Sequence, residues 1–299
     1  MRFRFLILIS CLLTLWASSY VAIRHSLETF TPGDLAFLRY LIASIGFILT
    51  ALFVGIKRPR LADLGVILLL GLTGFSIYNL LLNFGERTVS AGVASFVINT
   101  VPFFTMIIVL MRGEETADSV DWLGIVVAFI GVSIIIMTNE SAANFNLNAL
   151  YILGAAFCQA IYFALQKKLL KQYTPLQLTS YAVWSGTLIL FLFSNDPFNA
   201  LANADSSHVY SIVYLGLFPG MLAYLLVAYA LREHKASNIS SYLFLIPFVT
   251  LFLGWLLLDE LPSIGAICGG LLIAIGVFLK VCKPSWKPLK YILSINRKE

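Results

Sequence analysis

The feature that most constrains this chain is a set of ten apolar stretches: 5–23, 35–55, 64–83, 91–111, 122–138, 149–166, 176–194, 209–231, 237–258 and 263–279. Together they hold a single charge, Arg39. A helix needs about 20 apolar residues to cross hydrocarbon, and each stretch has 17 to 23, the shorter ones crossing with local thinning of the bilayer. Two tails and nine loops remain, none of the loops longer than 14 residues. No soluble domain fits into them, and ATP-driven transport would need a separate subunit. The apolar share is 60% and the charged share 12%, against roughly 45–50% and 25% in a soluble domain. These values exclude a soluble enzyme and a nucleic-acid binder.

Of the 20 Lys and Arg, 17 fall in the amino tail, the even-numbered loops and the carboxyl tail. The opposite side has only Arg24 and Arg87. The excess of cations marks the cytoplasmic side, so both termini are expected there. Arg2 and Arg4 ahead of an apolar run, with Ser18 to Ala22 after it, imitate a signal peptide, and Leu8-Ile9-Ser10-Cys11 loosely resembles a lipoprotein box. The run continues well past Cys11, so a permanent first helix is expected instead. Cys11, Cys158 and Cys268 lie within spans and Cys282 in the tail, where they read as packing residues rather than disulfide halves.

Sliding the chain against itself by 145 residues aligns Gly71 with Gly216, Arg87 with Arg232, Ala91 with Ala236, Ser95 with Ser240, and Pro102 with Pro247. Glu115 meets Glu260, Gly124 meets Gly269, and Gly131 meets Gly276. A shift of 143 brings Thr31-Pro32 onto Thr174-Pro175. Each half carries five spans, an odd number, so the second half enters the membrane from the opposite side and the repeat is inverted. Loop 56–63 carries Lys57, Arg58 and Arg60, whereas its counterpart 195–208 carries only the acids Asp196 and Asp205. Inverted repeats are a construction of secondary transporters, with the substrate site between the halves near the midplane.

The run Ser90-Ala91-Gly92-Val93-Ala94-Ser95, then Pro102, Glu114-Glu115, Gly124 and Gly131, with its echo through Ala236, Pro247, Glu260, Gly269 and Gly276, resembles the two EamA repeats of the drug/metabolite transporter superfamily. The resemblance implies an all-α polytopic membrane protein of ten transmembrane helices in two inverted five-helix repeats. It also implies a cavity lined mainly by helices 1–4 and 6–9, and small-molecule transport, frequently export, in a bacterial inner membrane. The repeats are expected over 1–140 and 141–282, with a basic cytoplasmic tail over 283–299.

Arg39 is the sharpest single signal, because charge within a span is costly. With helix 2 starting near Leu35 it lies about four rises of 1.5 Å deep. It either snorkels or pairs with Glu28 or Asp34, or it meets a substrate carboxylate in an outer vestibule. Candidate substrate-binding residues beside it are Trp16, Ser19, Tyr20, Tyr78, Asn79, Asn99, Gln159, Tyr162, Tyr224 and Tyr242. Ser18, Thr100, Trp184, Asn238 and Ser240 belong to the same polar and aromatic set. Their alternative role is bonding between helices or belonging to the interfacial aromatic belt. Pro102 and Pro247, mid-span in both halves, are candidate gating kinks. Gly265 and Gly269 form a GxxxG pattern, read as close packing within the chain, with a homodimer face as the alternative.

His25, His208 and His234 lie at membrane edges, far apart in sequence. No cofactor or metal and no nucleic-acid partner is expected, only a small-molecule substrate and the surrounding lipid. No P-loop, HExxH, GxGD or GxSxG pattern occurs, which disfavours an enzyme. The expected function is transport of a small amino-acid-like or amphipathic metabolite, with a lipid-headgroup or lipid-linked precursor flippase as the alternative. Because none of the ten stretches holds Asp or Glu, facilitated movement or exchange is expected rather than proton coupling; Glu28, Asp34 and Glu86 are the outer-side acids nearest to the spans. The charge count makes a direct prediction about topology. A cysteine at Asn199 is expected to react with an impermeant reagent from outside and one at Asp63 is not; equal labelling would refute the orientation.

Overall fold

The computed structural model describes residues 2–113, 118–138, 147–234, 236, 239 and 242–281. Glu114, Glu115, Asn238, Ser240, Cys282 and the basic tail lie outside them. The described residues form ten helical spans: α1 Arg2–Ser26, α2 Pro32–Val54, α3 Leu61–Glu86, α4 Ala91–Met111 and α5 Ser119–Thr138. The second half holds α6 Leu147–Leu169, α7 Pro175–Phe191, α8 Ser206–Glu233, α9 Ile246–Leu258 and α10 Ile264–Val281. A 3-10 turn, Leu243–Leu245, precedes α9, and a short helix, Pro197–Ala202, lies between α7 and α8.

Several helices begin or end about three residues beyond their apolar runs, because capping rather than hydropathy sets where they start. Thr31 accepts a hydrogen bond from the Asp34 N–H, and Thr174 accepts one from the Gln177 N–H with the reciprocal Gln177 contact. Proline at the first helical position costs no hydrogen bond there. The two Thr-Pro pairs that align at a shift of 143 are therefore equivalent helix starts. The extra turns draw charged residues into the helices, including Asp34, Glu86 and Asp121, all of them buried.

The two halves run in opposite senses. On α5 and α10, Gly124 faces Gly276 and Gly131 faces Gly269, so ascending positions on one helix meet descending positions on the other. A Cβ on Gly131 would stand 2.4 Å from the Gly269 carbonyl oxygen, and one on Gly276 would stand 2.5 Å from that of Gly124. Only glycine permits this approach, and the Gly269 contact lies within the chain, as the GxxxG pattern suggested. Between α2 and α7, Ser44 and Thr187 share a 2.8 Å hydrogen bond. These positions are 143 apart, so the pseudo-twofold axis passes between them. Outward-facing apolar residues such as Leu52, Phe53, Leu188, Leu192 and Leu257 stay exposed, as a lipid-facing surface requires.

Three spans are interrupted near the middle, and a 3-10 turn adjoins the start of α9. A π-helical turn occupies Leu72–Ser76 in α3 and another Gly216–Leu222 in α8, positions that coincide under the 145-residue shift. The chain turns at Asn99–Thr100 between the α4 segments Ala91–Ile98 and Val101–Met111, and at Leu243–Leu245 ahead of α9. Pro102 and Pro247 each stand in the first turn of a new helical segment, where no N–H is needed and no intrahelical hydrogen bond is lost. Gly131→Leu is expected to destabilise the protein by about 1–3 kcal/mol through overpacking, read as a lowered Tm in detergent. Gly65→Ala, where an added Cβ meets nothing within 4 Å, is expected to be neutral or better; equal losses would refute the packing assignment.

Candidate functional site

Between the halves lies a cavity of about 20 Å³, where a single water needs roughly 10–15 Å³. It is closed: every polar or aromatic residue that lines it is less than a tenth exposed. Seven predicted residues converge on it from five helices. Trp16, Ser19 and Tyr20 come from α1, Arg39 from α2, Tyr78 from α3, Gln159 from α6 and Tyr224 from α8. Leu82, Ile98, Leu243 and Ile246 complete the lining. The repeat register contained a signal for part of this set: Trp16 and Gln159 are 143 apart, Ile98 and Leu243 are 145 apart, and each pair lines the cavity.

The remaining candidates stand behind or beside it. Asn79 is fully buried and orients Arg39 from behind, accepting from the Arg39 Nη1 at 3.1 Å while donating to the Tyr40 hydroxyl at 3.0 Å and the Phe75 carbonyl at 2.8 Å. Tyr162 packs behind the wall, its ring 5.4 Å from that of Phe75 and 5.8 Å from that of Tyr224. It reaches this place only because residue 74 is glycine, where a Cβ would stand 2.3 Å from the Tyr162 ring. Asn99 and Tyr242 lie at the breaks of α4 and α9, and their neighbours Ile98 and Leu243 face the cavity instead. Pro102 and Pro247 also lie at these breaks and do not line it.

The aromatic wall is continuous. Trp16 meets Tyr224 edge-on at 5.4 Å, Tyr224 meets Phe75 at 4.5 Å, and Phe75 meets Tyr40 at 5.3 Å. The π-helical turn shapes this wall, since the Tyr224 hydroxyl donates to the Gly74 carbonyl at 3.1 Å. No helical periodicity announces such a turn, and π-turns recur at functional sites.

Arg39 is 4% exposed and lies seven residues into α2, about 10 Å at 1.5 Å per residue. It neither snorkels nor pairs with Glu28 or Asp34, which corrects both structural readings of it. Asp34 instead accepts from the Thr31 hydroxyl at 2.6 Å and the Asn195 N–H at 2.8 Å. The guanidinium lies 5.2 Å from the Tyr40 ring centroid, in cation–π range, and its Nε has no hydrogen-bond partner among the described residues.

Glu86 was missed as a site residue. It follows Tyr78 and Leu82 at successive spacings of four on one face of α3, so it stands one turn beyond the cavity lining. It is 0% exposed, and neither carboxylate oxygen has a hydrogen-bond partner among the described residues. The third apolar stretch ends at residue 83, but the helix continues to Glu86 and buries it.

Beyond the cavity lining, two equivalent contacts tie the ends of helices together. At the end that the charge count places outside, Arg24 Nη1 donates to the carbonyls of Glu86 at 2.7 Å and Arg87 at 2.8 Å, and Arg24 Nε pairs with Glu260 at 3.1 Å. The other Glu260 oxygen accepts from the Ala91 N–H at 3.0 Å, so Glu260 is a structural hairpin end that also ties α9 to α4. At the opposite end, Lys167 Nζ donates to the carbonyls of Leu231, Arg232 and His234. Arg24 and Lys167 are 143 apart, and Glu86-Arg87 and Leu231-Arg232 are 145 apart. In each half a cation from the first helix thus caps the C-terminus of the third, where helix carbonyls lack intrahelical partners.

Ten spans in two inverted halves, meeting around a closed aromatic cavity with a clamp at each end, define a multi-pass membrane transporter and not an enzyme. The chain belongs to the EamA-like transporter family, whose model matches residues 4–137 and 146–282. It is 36% identical to the uncharacterized transporter YdfC of Bacillus subtilis, over 92% of this chain and 90% of that one. It is 34% identical to a probable terminal-alkyne amino-acid exporter of Streptantibioticus cattleyicolor, over 88% and 89%. A probable amino-acid metabolite efflux pump of Escherichia coli is 26% identical, over 91% and 93%. A protein of known crystal structure shares the fold with a TM-score of 0.70 at 14% identity, covering 96% of this chain and all of that one.

Proposed function

We propose that this protein exports a small amphipathic amino acid or close derivative across the bacterial inner membrane by alternating access. The observation that carries the reading is Arg39 in the lining of an aromatic chamber, with the buried Glu86 one turn beyond it. Among the described residues, Arg39 is a buried guanidinium without a carboxylate partner, and Glu86, one turn beyond the lining, is a buried carboxylate without a hydrogen bond. Groups of this kind are costly to bury alone. A zwitterion brings a carboxylate to Arg39 and an ammonium to Glu86, while its side chain rests on Trp16, Tyr20, Tyr78 and Tyr224. Aromatic faces also attract an ammonium group by about 0.5–2 kcal/mol. The two relatives named for amino acids or their metabolites support the same substrate class.

The closed cavity is too small for such a molecule, so this is an occluded arrangement that widens on loading. Export then requires the Lys167 clamp to release for loading and the Arg24 clamp to release for discharge. A hydrogen bond to a charged group contributes roughly 1.5–3 kcal/mol, less for Arg24, whose side chain is about a third exposed. The clamps are therefore of a size that substrate binding can offset, as a population shift needs.

Metabolite profiling of overexpressing and deleted cells identifies the amino acid, and competition assays in proteoliposomes then test its contacts. Arg39→Gln is expected to weaken the free amino acid at least tenfold, about 1.4 kcal/mol, and its methyl ester less than twofold. Glu86→Gln is expected to weaken the free amino acid and spare its N-acetyl derivative. Equal losses for all ligands would refute the zwitterion contacts, and altered lipid distribution with unchanged amino-acid pools would favour a headgroup flippase.

A further inference from the structure

At the Arg24 end, outside the cavity, the fold joins residues that are far apart in sequence. His25 lies in the last turn of α1, Glu28 in the turn that follows, and His208 in the first turn of α8. The two imidazoles face one another with ring centroids 4.3 Å apart and planes 10° from parallel. One oxygen of Glu28 stands 3.8 Å from His25 Nδ1 and 3.9 Å from His208 Nε2. All three ligand atoms lie within 4.8 Å of one another. This corrects the expectation that the histidines are unrelated edge residues.

His208 supplies an independent indication. It is 8% exposed, and neither ring nitrogen has a hydrogen-bond partner among the described residues. A buried imidazole ordinarily finds a partner for at least one nitrogen. Here its Nε2 is directed at a carboxylate that is itself 64% exposed and open to water, so an ion from solution has a route to all three ligands.

We propose that His25, Glu28 and His208 form a binding site for a borderline divalent cation of the Zn²⁺ class, bridging the first repeat to the second at the Arg24 end. Two imidazoles and one carboxylate, with a fourth position left to water, suit such an ion. Bonds of about 2.0–2.1 Å in a tetrahedron place neighbouring ligands roughly 3.4 Å apart. The present separations exceed that by little for the two Glu28 contacts. Rotation of the partly exposed His25 and of Glu28 closes the difference and turns the two rings out of their parallel stack. The ion ties α1 to α8 and holds this end closed, in addition to the Arg24 clamp.

The test uses the full-length protein in detergent, purified through a tag without histidine and titrated with Co²⁺ and Zn²⁺. One equivalent of Co²⁺ is expected to give the visible absorption of a four-coordinate nitrogen and oxygen site. Zn²⁺ is expected to displace it and to raise Tm. Glu28→Gln, at an exposed position that leaves the fold intact, is expected to weaken binding at least tenfold. His25→Ala and His208→Ala are expected to abolish it, and His234→Ala, at the other end, to leave it unchanged. Absence of stoichiometric Co²⁺ binding to the wild type, or binding that survives both Glu28→Gln and His25→Ala, would overturn the site.

Discussion

Hydrocarbon offers no hydrogen bonds, so a backbone group released from a helix inside the membrane must find its partner within the protein. That constraint explains where this chain departs from regular helix. The π-turn residues Thr73–Ser76 of α3 and the break of α4 at Asn99–Thr100 are buried against other helices rather than lipid, and the α3 turn stands behind the aromatic wall of the cavity through Gly74 and Phe75. Ser76 illustrates the arrangement: its hydroxyl donates to the Gly71 carbonyl at 3.2 Å and the Gly186 carbonyl at 3.0 Å, tying the irregular turn of α3 to α7. The same irregular turn lets the Tyr162 ring in against Gly74. The wall of the site is thus built from positions that a straight helix would close off.

The inverted repeat then duplicates each device. A hydroxyl pair, Ser44 and Thr187, sits on the axis between the halves, and glycine pairs set the spacing of the peripheral α5 and α10. In each half a cation from the first helix sits on the carbonyls at the end of the third. The substitution of Lys167 for Arg24 between equivalent positions gives the two ends unequal partners. Among the described residues, the Arg24 end adds a carboxylate, Glu260, and holds the histidine pair.

Much of this was legible in the sequence because hydropathy and register are local properties. Ten apolar runs, a shift of 145 and an odd number of spans per half determine the fold, and seven of the expected cavity residues do meet. Three features were hidden for identifiable reasons. Glu86 was misplaced because the apolar run was ended at Asn83, whereas the helix continues through Phe84 and Gly85 to Glu86. The π-turns leave no periodic trace, so Tyr40 and Phe75 were not recognised as part of the aromatic wall. His25 and His208 are brought together only by the packing of α1 against α8, which no spacing along the chain encodes.

The central claim is that the two ends open in alternation around one cavity, with a side-chain cation on helix carbonyls contributing to the closure of each. Pulsed electron–electron resonance tests it most directly, with one spin-label pair at exposed Thr29 and Leu261 and another at exposed Lys171 and Glu233. Arg24→Met is expected to lengthen the Thr29–Leu261 distance while the Lys171–Glu233 distance stays short, and Lys167→Met to do the reverse. Widening of both pairs in either variant, or of neither pair in both, would contradict alternating access through these clamps.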